Sequence, residues 1–119
     1  MQHASEFERI CEEARQRVQE ISVHDAANLA KQGTLLIDVR EDHEWAKGHA
    51  KGATHLGRGI IERDIHKIAR KDQPLLLYCG GGYRSALAAD NLQKMGYKKI
   101  KSVAGGWKAW VAALLPTES

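Results

Sequence analysis

The chain has 119 residues, 43% of them hydrophobic and 28% charged, with a formal net charge of +3. That length makes one domain with a real core, and the composition is ordinary for a water-exposed globular protein. The mild positive balance suits small anionic ligands; without a Lys/Arg block or an aromatic ladder it excludes nucleic acid as an expected partner, and without a long apolar run it excludes a membrane. Two cysteines, Cys11 and Cys79, are too few for a disulfide scaffold. Met1-Gln2-His3-Ala4-Ser5 leads into charged residues rather than an apolar signal core, so a cytoplasmic, reducing setting is expected.

In chain order, Ser5-Glu6-Phe7-Glu8 reads as a capping box opening a helix over residues 5–19. Phe7, Ile10, Cys11, Ala14 and Val18 share one face of it. Cys11 therefore reads as a packing residue, with a second redox role as the alternative. Ser22-Val23-His24-Asp25 opens a second helix that ends near Gly33, and residues 34–39 read as a strand buried on both faces. Residues 41–47 form a loop with a helical turn, residues 48–53 a turn region, and Thr54-His55-Leu56 a short strand. Ile60, Ile61, Ile65 and Ile68 mark a helix, and Pro74 precedes a strand at residues 75–78. A helix follows from Tyr83 to Met95 and stops at Gly96; residues 100–103 form the last strand. Gly105-Gly106 turns the chain into a closing helix carrying Trp107 and Trp110. Short apolar strands alternating with helices predict an α/β fold, a central parallel sheet with helices on both faces. Ligands on such sheets bind beyond the carboxyl ends of the strands.

The most informative stretch lies at such an end. Leu75-Leu76-Leu77-Tyr78 runs into Cys79, followed by Gly80-Gly81-Gly82, then Tyr83, Arg84 and Ser85 at the start of a helix. The thiolate, not the thiol, is the nucleophile, and an ordinary cysteine is mostly protonated at pH 7. Here the glycines permit a nest of inward N–H groups, the helix N-terminus points its free N–H groups at the same place, and Arg84 adds a permanent cation. A lone buried cysteine is usually inert, and a lone glycine run is only a loop. Together they make Cys79 the candidate nucleophile and Gly80, Gly81, Gly82, Tyr83, Arg84 and Ser85 the candidate anion cradle. His24, His43, His55 and His66 show no ligand spacing with the cysteines, so no metal and no cofactor is expected.

Four motifs in order carry a family resemblance: residues 36–41 (Leu36-Ile37-Asp38-Val39-Arg40-Glu41), residues 44–53 around Gly48-His49, the Cys79 loop, and Val103-Ala104-Gly105-Gly106-Trp107. With them the chain resembles a single-domain rhodanese, a thiosulfate or persulfide sulfurtransferase, over roughly residues 21–114. The resemblance implies a rhodanese-like domain at residues 21–119 preceded by an N-terminal helical extension at residues 1–20. It implies that Cys79 takes a sulfane sulfur from a small anionic donor and passes it to a thiol, or to cyanide in vitro, through ping-pong covalent catalysis. A persulfide-bearing protein is a further expected partner. Arg84 would shape the loop and attract the anion; Ser85 would cap the helix and donate a hydrogen bond. Tyr83 would either limit access or pack over the helix start. Asp38 would have a supporting, structural role near the loop, Arg40 would reach the mouth or make a surface ion pair, and His49 would hold the fold. The rival readings are a persulfide relay, a non-catalytic binding module, and a phosphatase. The four residues between Cys79 and Arg84 fit the rhodanese loop rather than the Cys-x5-Arg loop of fold-related phosphatases.

Overall fold

The computed structural model describes residues 3–119. Its helices are α1 (Ser5–Arg15), α2 (Val23–Lys31), α3 (Asp42–Ala46), α4 (Ile61–Asp64, extended by a 3-10 turn at Ile65–Lys67), α5 (Tyr83–Lys94) and α6 (Gly106–Ala112). The strands are β1 (Gln19–Ile21), β2 (Leu35–Asp38), β3 (His49–Ala50), β4 (Thr54–His55), β5 (Leu75–Tyr78), β6 (Ile100–Val103) and β7 (Thr117–Glu118). Five strands form a parallel sheet in the order β1-β6-β5-β2-β4. Its central strand, β5, is buried throughout.

Both faces of that sheet are covered, which is why β2 and β5 are apolar without alternation. The period of two still sorts their side chains. Leu36, Leu76, Tyr78 and Val103 face Val23, Ala26, Ala27 and Trp110 of α2 and α6. Ile37, Leu75, Leu77 and Cys79 face Ile61, Ala88, Ala89 and Leu92 of α4 and α5. The expected α/β architecture with helices on both faces is therefore observed, and α1 is the additional N-terminal helix, lying on α5. No helix among the described residues is long and apolar enough to cross a membrane.

The N-terminal segment departs from expectation in two ways. First, the helix ends at Arg15 rather than near residue 19, and Gln19–Ile21 becomes a sheet edge paired with β6. Its side chains are largely exposed, so no apolar period marks it; backbone pairing defines it. Second, there is no capping box at Ser5. Ala4 is the N-cap and Ser5 sits one residue inside the helix. A capping box does form at Glu41, where the Glu41 N–H donates to Glu44 Oε1 at 3.0 Å and the Glu41 side chain accepts from the Glu44 N–H. It fixes the start of α3 and with it Glu44. A further pair, β3 with β7, closes the C-terminus over the β3 turn.

At the carboxyl end of β2, Asp38 is fully buried and Arg40 is 3% exposed. The Arg40 Nε donates to both carboxylate oxygens at 3.1 Å and its Nη2 donates to Oδ2 at 2.8 Å and to the Gly48 carbonyl at 2.7 Å. The Arg40 N–H also donates to Asp38 Oδ1 at 2.9 Å. The guanidinium lies over the Trp107 ring, 4.7 Å from its centroid. Arg40 is thus neither at the mouth of the Cys79 loop nor in a surface ion pair, but locked into the interior. Asp38→Asn, which leaves the guanidinium buried without its counter-charge, is expected to cost about 3–5 kcal/mol in urea unfolding.

Candidate active site

Cys79 follows the last residue of β5 and continues the inward row of Leu75 and Leu77. The parallel strand ends and the N-terminus of α5 therefore meet at its sulfur. Gly82 is the N-cap of α5 at φ 102°, a left-handed conformation that L side chains rarely adopt. That turn aims the Gly82 N–H at Cys79 Sγ, 3.1 Å away. Ser85 Oγ is 3.4 Å from the sulfur and 2.8 Å from Ser102 Oγ, all three groups being buried. Ser85 is hence not a helix cap but a hydroxyl held against the sulfur by a second hydroxyl. An N–H donor and a hydroxyl thus converge on the sulfur.

Ser102 is the residue that sequence reasoning missed. Its signal was a small polar residue between Ile100 and Val103 in a short strand; the structure sets it opposite Leu77, two residues short of Cys79.

The loop is held from behind by α6. The Trp107 N–H donates to the Cys79 carbonyl at 2.7 Å and the Lys108 N–H to the Gly80 carbonyl at 3.1 Å. These are the orphan donors of a helix N-terminus, spent here on orienting the loop. Gly106 makes the approach possible: a Cβ there would overlap the Cys79 carbonyl oxygen. The carbonyls of Cys79 and Gly80 are thereby engaged by α6, and the Gly82 N–H is the backbone donor directed at the sulfur.

Above the sulfur opens a cavity of about 280 Å³. Gly80, Gly81, Tyr83 and Arg84 line it together with Glu44 of α3 and Lys108 of α6. The rest of its wall is N-terminal: His3, Phe7 and Glu8. Tyr83 packs edge-on to His3 at 4.8 Å and lies 6.1 Å from the Phe7 ring, with the Arg15 guanidinium 4.7 Å over its face. Tyr83 thus lines the cavity and packs against His3, Phe7 and Arg15 of the N-terminal segment.

Arg84 differs from expectation. Its Nη1 and Nη2 donate to the two Glu44 oxygens at 2.7 and 3.1 Å. This bidentate pair offsets the expected cation. The Arg84 guanidinium holds the Glu44 carboxyl at about 2, so the pair is intact above the ordinary carboxylate range and is lost only as pH falls through about 2.

Of the supporting candidates, Asp38 and Arg40 do not line this cavity; they act behind it, through Trp107. His49 is buried, stacked on Trp45 with ring centroids 3.4 Å apart, and its Nδ1 is 3.2 Å from the Trp45 carbonyl oxygen. Cys11 is fully buried, and burial pushes its thiol up, which fits packing.

The rhodanese-like domain profile matches residues 22–113. The chain belongs to the rhodanese-like family. The thiosulfate sulfurtransferase GlpE of Haemophilus influenzae is 33% identical over 100 residues, covering 84% of this chain and 94% of that protein. The uncharacterized protein YqhL of Bacillus subtilis is 34% identical over 95 residues, covering 80% of this chain and 75% of its own. Among solved structures, a Rhodopseudomonas palustris protein of unknown function, described as a possible tyrosine phosphatase, superposes with a TM-score of 0.84 at 29% identity, covering 99% of this chain and 98% of that one. The polysulfide-sulfur transferase of Wolinella succinogenes, a 30 kDa homodimer, gives 0.81 at 27% identity, covering 96% and 88%. That last coverage leaves about five of 119 residues unmatched, fewer than the 11 of α1, so at least part of α1 has a counterpart there.

Glu44→Gln keeps the capping box, which glutamine also forms, while removing the charge that neutralises Arg84. The freed guanidinium is expected to lower the KM for thiosulfate by about two- to fivefold at low salt, the range of a single exposed charge pair. The gain should fade as salt rises through the physiological range. An unchanged KM would show that Arg84 serves the loop's shape alone.

Proposed function

We propose that this rhodanese-like protein is a sulfurtransferase that moves a sulfane sulfur from thiosulfate or a persulfide donor to a thiophilic acceptor, through a persulfide on Cys79. The observation that carries this reading is the Cys79 sulfur itself, 1% exposed at the floor of an open cavity with the Gly82 N–H and the Ser85 hydroxyl directed at it. With thiosulfate, the Cys79 thiolate attacks the outer sulfur, the S–S bond of the donor breaks, and sulfite leaves with the electron pair. The product is Cys79–S–S⁻. Cyanide or a thiolate then attacks the outer sulfur, and Cys79 departs as thiolate. Nothing in either step needs a general acid or base, and the histidines stand apart from the sulfur's immediate contacts.

The loop's contribution is electrostatic preorganisation: N–H dipoles fixed by α5, and kept aimed by the carbonyl contacts to α6, need not reorient when charge develops. The family membership and the thiosulfate sulfurtransferase relatives support the donor class. A phosphatase reading draws on the description of the Rhodopseudomonas neighbour, but the cavity supplies it poorly. The loop arginine is already engaged by Glu44, and the loop itself carries no carboxylic acid to protonate a leaving alcohol.

Intact mass of the reduced protein should rise by one sulfur atom on treatment with thiosulfate, and Cys79→Ser should show no gain while keeping the wild-type unfolding midpoint within error. Loading that persists in Cys79→Ser would overturn the assignment of the nucleophile. Turnover of an aryl phosphate comparable to that of thiosulfate would favour the phosphatase instead.

A further inference from the structure

The cavity above Cys79 offers more room and more chemistry than inorganic sulfur requires. At about 30 Å³ per water, 280 Å³ holds about nine waters, well beyond one small tetrahedral anion. One wall, from His3, Phe7 and Tyr83, is aromatic. Of the four charged residues around it, Glu44 and Arg84 cancel each other. The other two are Glu8 of α1 and Lys108 of α6, of opposite sign and both exposed; neither makes an ion pair among the described residues.

Among the described residues the lining is therefore formally neutral, with one carboxylate and one ammonium outside any ion pair and on different elements. A dianion gains little net attraction from such a rim; a zwitterion gains at both ends. α1 lies on α5, and the chain just past its C-terminal end is held to the same helix. Arg17 donates from Nε and Nη2 to Asp90 of α5 at 3.0 and 2.7 Å, and Gln93 Nε2 donates to the Arg17 carbonyl at 3.0 Å.

We propose that this cavity takes a small zwitterionic organic thiol of the cysteinyl type as the sulfur acceptor, with Glu8 and Lys108 as specificity-determining residues. Glu8 takes the ammonium and Lys108 the carboxylate, the carbon stem lies along Phe7 and Tyr83, and the thiol sulfur points to Cys79. The proposal rests on the sulfur-transfer reading above. The acceptor thiolate attacks the outer sulfur of the Cys79 persulfide, a new S–S bond forms, the bond to Cys79 breaks, and Cys79 leaves as thiolate. The acceptor becomes a persulfide, and no oxidant or reductant is consumed.

The test loads Cys79 with thiosulfate and follows single-turnover sulfur removal at low salt by three thiols: cysteine, N-acetylcysteine, which lacks the ammonium, and cysteine methyl ester, which lacks the carboxylate. Each variant is compared with wild type for each thiol, so intrinsic thiol reactivity cancels. Glu8→Gln should slow cysteine by about two- to fivefold and make no such difference with N-acetylcysteine. Lys108→Met should slow cysteine and N-acetylcysteine by a similar factor and make no such difference with the methyl ester. Both effects should disappear at high salt. Variants that act equally on all three thiols, or on none, overturn the carrier assignment while leaving sulfur transfer standing. Wild-type protein that gains no sulfur from thiosulfate or from any persulfide donor removes both readings together.

Discussion

The buried pair of Asp38 and Arg40 is the contact from which the geometry of the site follows. A guanidinium taken out of water is costly unless it is paired, and here its partners come from three stretches of chain. Asp38 ends β2, the Gly48 carbonyl precedes β3, and the face of Trp107 opens α6. Satisfying one side chain thus sets the turn after α3, the position of α6, and through the Trp107 N–H the carbonyl of Cys79. The pair never approaches the sulfur. It decides which way the loop's backbone dipoles point.

This places the burden of anion stabilisation on the backbone. A cation beside the sulfur is the simpler device, and Arg84 lines the same cavity as Cys79. Two charge-assisted bonds to Glu44 leave that cation little net field at the cavity. Glu44 is in turn fixed by its own capping box, so the compensation is built into α3. What remains uncancelled at the sulfur is short range: a fixed N–H and a hydroxyl chain from Ser85 to Ser102. Short-range donors discriminate by position, whereas a free guanidinium would attract any anion in the vicinity. The site is accordingly tuned for a sulfur that must sit at one point.

Much of this was legible in the sequence, and the losses have physical reasons. The sheet, its flanking helices and the Cys79 loop follow from apolar runs and glycines, because burial on two faces leaves a strong local signature. The end of α1 and the strand at Gln19–Ile21 were missed because an exposed edge strand is specified by its partner's backbone, not by its own side chains. The Ser5 capping box failed because the helix began one residue earlier than the motif assumed, which put the serine inside it. The pairing of Arg84 is hidden because no sequence rule links it to Glu44, 40 residues earlier in the chain. Arg40 was placed at the mouth or the surface because charge in a sequence argues exposure. Only the buried Asp38 two residues before it reverses that expectation.

The N-terminal helix completes a cavity whose floor belongs to the shared domain. The family profile begins at residue 22, and everything needed to orient the sulfur lies after that point: β5, the glycine turn, Ser85, Ser102 and α6. What precedes it adds His3, Phe7 and Glu8 to the cavity, and nothing to the sulfur's own contacts. The sulfur's contacts thus lie within the shared domain, while the cavity wall is built jointly by that domain, through Tyr83, Arg84 and Lys108, and by the segment before it. Floor and rim differ energetically as well. The sulfur's donors are buried and expensive to disturb, while Glu8 and Lys108 stand in solvent, where exchanging a side chain perturbs the fold little. Substitutions at the rim of the cavity are therefore ones the fold tolerates, and substitutions at the sulfur's donors are ones it does not.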